Sequence, residues 1–134
     1  MDRTQPEALN CPFCNLPPER VLRASELCLA FKDAYPVSPG HTLIVPKRHV
    51  ASFFQITGEE RSELFSLLES CRNDLVARHK PAGFNIGIND GSAAGQTVMH
   101  VHIHLIPRYS GDKADPRGGV RWIFPEKADY WSGR

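Results

Sequence analysis

The sequence predicts an α+β domain in which one long amphipathic helix covers an antiparallel sheet. A single helical stripe predicts the cover: Leu64, Leu68, Cys71 and Leu75 fall at i, i+4, i+7 and i+11. Short apolar runs of strand type lie on both sides of that stripe. The order, strands, one long helix, then two strands joined by a short loop, suits an antiparallel sheet.

Residues 1–10 are polar and read as a flexible N-terminal segment. Leu27-Cys28-Leu29-Ala30-Phe31, followed by Lys32-Asp33, reads as a strand running into a polar loop. Tyr35-Pro36-Val37-Ser38-Pro39-Gly40 then turns the chain, because two prolines and a glycine cannot continue a ladder. His41-Thr42-Leu43-Ile44-Val45 resumes as a strand, and Pro46 ends it. The segment from Thr57 to His79 is the clearest helix, with Thr57 and Glu60 spaced as a capping box. Glu59, Arg61, Glu69 and Arg72 lie mostly off its apolar stripe. Pro81-Ala82-Gly83 stops it, and Phe84 to Asn89 alternates as a half-buried strand does. A loop with Gly91 and Gly95 leads into a last strand, Val98 to Ile106. The tail beyond Gly111 carries Trp122, Ile123, Phe124, Tyr130 and Trp131, so it docks, on its own subunit or on a partner's.

A chain of 134 residues, 41% hydrophobic and 23% charged, is the size of one globular domain. Its formal charge of +1 excludes a broad basic surface, hence a nucleic-acid polymer as partner. A small anionic ligand needs only a local site. No apolar run approaches the roughly 18 residues of a membrane span, and no signal-peptide core is visible. The expectation is a cytoplasmic protein with no membrane partner, and its four cysteines are then reduced thiols or metal ligands. Cys28 and Cys71 sit in apolar stretches and read as small buried hydrophobes. Cys11-Pro12-Phe13-Cys14 is open to three readings: a redox pair, half a zinc site or a structural pair. A thioredoxin-type pair would follow a strand and open a helix, whereas this one precedes every periodic segment. With no second C-x-x-C, a closed tetrahedral site would need two histidines.

His100, His102 and His104 alternate with Val101, Ile103 and Leu105, which puts three imidazoles on one face of a strand. A metal triad and a nucleophile flanked by helpers both use that arrangement. The preceding loop favours the second. Asn89-Asp90-Gly91-Ser92-Ala93-Ala94-Gly95-Gln96-Thr97 offers glycines, backbone N–H groups, an amide and hydroxyls, the means of cradling a phosphate without net charge. Such a loop beside an imidazole fits phosphoryl or nucleotidyl transfer. His79, at a helix C-terminus beside Arg78 and Lys80, has no assigned role.

The stretch from Gly95 to Arg108, with His100-Val101-His102-Ile103-His104 at its centre, resembles the histidine triad (HIT) family of nucleotide hydrolases and transferases. The likeness extends over Pro39 to His49 and Asn89-Asp90-Gly91, and so covers about residues 11–112 as a HIT domain, with 113–134 as a C-terminal docking tail. It implies a HIT-like fold with an antiparallel sheet of about five strands, one long helix, and a homodimer. It implies further that His102 attacks the α-phosphate to give a nucleotidyl-histidine, that His104 contacts phosphate, and that the backbone of His100 fixes the nucleophile's tautomer. Gln96 joins these three as a catalytic helper. By the same resemblance Asn89, Gln96 and Thr97 contact phosphate and ribose, Asp33 takes the ribose hydroxyls, and His41 backs the triad at the substrate site. Bacterial members of this type hold zinc with such a cysteine pair plus the histidine after Pro-Lys-x and the first triad histidine, which here means Cys11, Cys14, His49 and His100 as ligands of a structural zinc. The expected reaction is hydrolysis of dinucleoside polyphosphates at the α-phosphate, releasing a mononucleotide such as AMP. Hydrolysis of adenosine phosphoramidates, and a non-catalytic purine nucleotide-binding adaptor, are the alternatives.

Overall fold

The computed structural model describes residues 6–133. The first five residues of the expected flexible segment lie outside the described residues, and a short helix α1, Pro6–Leu9, opens the rest. Strands β1 (Val21–Ala24), β2 (Cys28–Lys32) and β3 (Thr42–Pro46) follow. Helix α2 (Gly58–His79) leads to β4 (Gly83–Gly87) and β5 (Ile103–Arg108), and a short helix α3 (Pro125–Ala128) lies in the tail. The strands form one antiparallel sheet in the order β1-β2-β3-β5-β4, as the α+β expectation requires.

Helix α2 begins where the sequence places it, because the Thr57 hydroxyl accepts from the Glu60 N–H while the Glu60 carboxylate accepts from the Thr57 N–H. It ends on Lys80, which takes the left-handed conformation (φ 50°) and donates its N–H to the Val76 carbonyl. Its fully buried stripe is Leu64, Leu67, Cys71 and Leu75; Leu68, expected there, is only partly buried. Spacing of i, i+3, i+7 and i+11 tracks the 3.6-residue turn as well as the expected spacing, and the sheet surface selects between them. Buried Glu60 extends the stripe because Arg48 reaches it at 2.9 Å.

Each face of the sheet has its own cover. Cys28, Ala30, Ile44, Ile103 and Leu105 pack under α2, while Leu29, Phe31, Leu43 and Val45 meet Ala8, Cys11, Phe13 and Cys14 from the N-terminal segment. Burial pushes the Cys28 thiol up to about 12 and the Cys71 thiol up to about 11, so both remain neutral apolar fillers.

Two expectations are corrected, and one element was not anticipated. The last strand starts at Ile103 rather than Val98: the β3 ladder reaches only the Ile44–Ile103 pair, and the Val101 N–H donates instead to the Val50 carbonyl. The link between the final two strands is not short, since residues 88–102 lie between them. β1 has no counterpart in the sequence reading, because a four-residue, mostly exposed edge strand with a register slip leaves no alternation to read.

Candidate active site and metal centre

Leu43 of β3 pairs with His104 of β5, so His104 shares the face that the N-terminal segment covers. His102 lies just before β5 on the same side, its ring 5.1 Å from that of His104. His100 leads elsewhere. Its Nδ1 lies 3.4 Å from both the Cys11 and Cys14 sulfurs, and His49 Nδ1 is 3.4 Å from Cys14 Sγ. The three histidines are therefore divided: His100 is given to the cysteines, while His102 and His104 pack against each other.

Hydrogen-bond partners assign the tautomers. The Nδ1 of His102 lies 2.8 Å from the His100 carbonyl, which can only accept, so Nδ1 carries the proton and Nε2 keeps a lone pair. The Nε2 of His100 donates likewise to the Pro46 carbonyl at 2.7 Å, and its Nδ1 lone pair faces the thiols. For His41, the Val37 N–H donates to Nδ1 at 3.1 Å, which leaves the proton on Nε2. That proton meets His104 Nδ1 at 2.9 Å and Asp33 Oδ2 at 3.3 Å. His104 therefore accepts at Nδ1 and carries its own proton on Nε2, a neutral donor. Burial first, then the neighbouring His102 and His41, pushes His104 down to about 4. Burial likewise lowers His41 and His102, so the cluster is neutral at pH 7.

Asp33, Tyr35 and Val37 form the turn that holds this chain, with the Asp33 carboxylate accepting from the Tyr35 N–H at 2.8 Å. Gln96 is buried, and its amide is committed to backbone. Oε1 accepts from the Gly91 N–H, while Nε2 donates to the Ala51 and Val98 carbonyls. The loop is further fixed by Asp90, whose carboxylate accepts from the Phe53 N–H and the Ser52 hydroxyl. Asn89 and Thr97 lie exposed on this loop, their side chains unbonded among the described residues. Gly91 and Gly95, at φ 96° and 92°, give the loop its shape. Phe13 is the residue the sequence reading missed. Its ring lies 5.0 Å from that of His102, and its place between Cys11 and Cys14 was the available signal.

Ligand atoms of Cys11, Cys14, His49 and His100 all lie within 4.8 Å of one another. Bonds of about 2.3 Å to sulfur and 2.0–2.1 Å to nitrogen place tetrahedral ligands about 3.3–3.8 Å apart, which the 3.4 Å separations match. The donor set can hold a metal. Asp33, His41 and His104 also converge within that range. There, however, the Val37 N–H occupies one His41 nitrogen and leaves a proton on the other, which suits a hydrogen-bonded chain and not a metal.

The fold thus brings neutral imidazoles to one face of the sheet and backs them with a thiol–histidine cluster, an arrangement able to donate hydrogen bonds to an anion and offering an unprotonated ring nitrogen. The chain belongs to the HIT domain family, whose model matches residues 16–111. It is similar to the asymmetrical bis(5'-nucleosyl)-tetraphosphatase of Schizosaccharomyces pombe, 38% identical over 93 residues that cover 69% of this chain and 51% of that protein. Among solved structures it resembles a HIT family protein from Bacillus anthracis, at 42% identity and a TM-score of 0.70, covering 75% of this chain and 74% of that one. It also resembles a Zn-bound histidine triad family protein from Mycobacterium smegmatis, at 32% identity and a TM-score of 0.73, covering 81% of each chain. Membership places it among proteins that bind or hydrolyse nucleotides. Among the described residues no helix is long and apolar enough to cross a membrane.

Proposed function

We propose that this protein hydrolyses dinucleoside polyphosphates in the cytoplasm by way of a nucleotidyl-enzyme on His102. The observation that carries the reading is the 2.8 Å bond from His102 Nδ1 to the His100 carbonyl, which leaves Nε2 unprotonated at neutral pH. Nε2 attacks the α-phosphorus, and the bond from phosphorus to the bridging oxygen breaks. The remaining nucleoside polyphosphate departs with the bridging oxygen. Water then attacks the same phosphorus, the P–N bond breaks, and a mononucleotide such as AMP leaves with Nε2 restored.

The other residues take supporting roles in this reading. His104 donates from Nε2 to a phosphoryl oxygen, with His41 and Asp33 holding its tautomer, and Asp33 takes the ribose hydroxyls. The backbone of the 89–97 loop supplies N–H groups for phosphate, Asn89 and Thr97 reach substrate from its exposed side, and Gln96 holds the loop in shape. A zinc ion on Cys11, Cys14, His49 and His100 supplies structure, since four protein ligands leave no open position. The S. pombe relative's name supports the substrate class, and the M. smegmatis structure supports the metal.

The test is acid-avoiding quench of a reaction with labelled diadenosine polyphosphate, followed by peptide mapping. The label is expected on His102. His102→Ala should abolish it and lower turnover by many powers of ten, because neither the loop nor His104 supplies a nucleophile. Label on His100 or His104, or near-normal turnover by the variant, overturns the assignment. Faster release of AMP from adenosine phosphoramidates than from dinucleotides would move the substrate class.

A further inference from the structure

We propose that Phe13 is a positioning residue for the His102 imidazole, presented to it by the turn between Cys11 and Cys14. The proposal rests on the reading of His102 as the nucleophile. The two cysteine sulfurs both point at His100, so the turn between them is pinned over the catalytic segment, and the ring it carries points at the next histidine. The Phe13 ring lies 5.0 Å from His102 at 78°, 5.9 Å from His100 at 68° and 5.1 Å from Phe31 at 55°. All three separations fall in the range where aromatic pairs prefer tilted or edge-to-face geometry. The His104 ring also contacts that of His102, at 5.1 Å and 65°.

The nucleophile thus touches two rings, with one nitrogen tied to the backbone. The hydrogen bond alone does not suffice, because the torsion that turns an imidazole about its own axis is broad. The Nδ1–H can follow the carbonyl over a range of ring planes, and each plane aims the Nε2 lone pair elsewhere. A displacement of about 1 Å at the reacting atom can cost on the order of 10²-fold in rate. The near-perpendicular contact with the planar Phe13 ring restricts that freedom, with about a tenfold preference for one orientation expected of such a pair. A residue that merely filled the covered face, as Leu29 and Leu43 do, would not need to be planar. The metal turn and the catalytic strand are in this way coupled twice: through His100, which is both ligand and carbonyl, and through Phe13.

Phe13→Leu separates positioning from filling, because leucine occupies the space without offering a flat ring, and Phe13→Ala removes both. The readouts are metal content, thermal midpoint, steady-state kcat and KM with a diadenosine polyphosphate, and the ¹⁵N-resolved proton resonance of His102 Nδ1–H. Phe13→Leu should keep its metal and melt near the wild-type temperature. Its kcat should fall roughly 10- to 10²-fold with KM changed less than about twofold, and the Nδ1–H signal should broaden or exchange faster. Phe13→Ala should show the same kinetic loss with lower thermal stability; should it shed its metal, the leucine variant carries the test. Wild-type kcat and an unchanged Nδ1–H signal in Phe13→Leu overturn the proposal while leaving His102 as nucleophile. A covalent nucleotidyl-enzyme that persists in His102→Ala overturns instead the reading on which it rests.

Discussion

His104 is surrounded by groups that act on its charge from every side. Burial lowers its pKa first, His102 and His41 lower it further, and only Asp33 opposes them, so its folded value of about 4 stands below its ordinary 6.5. The folded protein therefore binds the neutral form, and the unfolded chain takes up the proton sooner as pH falls. The resulting stability is fully present above pH 6.5 and is lost progressively between 6.5 and about 4. Its size is on the order of 3 kcal/mol. Denaturant unfolding of the wild type and of His104→Gln at pH 7.5, 5.5 and 4.5 measures it. The wild type should lose more stability over that range than the variant does, and the gap between them should narrow as pH falls. Equal slopes would mean that His104 already carries its charge in the folded protein.

At the scale of elements, two irregular pieces make the site: the turn at residues 11–14 and the long link from 88 to 102. The turn meets His49 and His100, which come from separate stretches of the chain, and closing it with a metal would join α1 to the sheet. Protein purified without chelator should accordingly carry about one zinc per chain, and Cys11→Ser or Cys14→Ser should lose it together with thermal stability. Zinc-free protein with two freely titrating N-terminal thiols would contradict the assignment. What the sequence showed of these pieces followed from periodicity and residue chemistry. The cap at Thr57, the helix, and the strands around Ala30 and Ile44 were legible because each carries its own local signal. The division of labour among His100, His102 and His104 was not legible from alternation alone, since it depends on a segment some 90 residues away folding over the strand. Likewise, Gln96 looks in sequence like a ligand contact, but burial turns its amide toward three backbone partners.

Over the whole molecule, the tail gathers several exposed apolar residues into one segment. It is folded on itself: the Trp122 indole N–H donates to the Arg117 carbonyl, and Gly118, at φ 93°, lets both Trp122 and Trp131 come close. Cations lie over its rings, Lys113 on Trp122, Arg117 on Trp131 and Arg121 on Tyr130, while Ala128 is buried beneath them. Gly119 approaches Asn85 and so sets the tail against edge strand β4. Yet Val120, Ile123 and Phe124 remain 64%, 74% and 58% exposed. Scattered apolar residues need no explanation, but three within five positions beside a strand edge form a patch that a second copy of the chain can cover. We expect a homodimer, whose isologous interface would also pair off β4 and remove an open sheet edge. Light scattering at micromolar concentration should report twice the chain mass. Ile123→Lys combined with Phe124→Glu should shift the protein toward monomer while leaving its far-UV circular dichroism unchanged, because both side chains already face away from the core. A monomeric wild type at that concentration refutes the dimer, and a dimer unaffected by the double substitution places its interface elsewhere than on the tail.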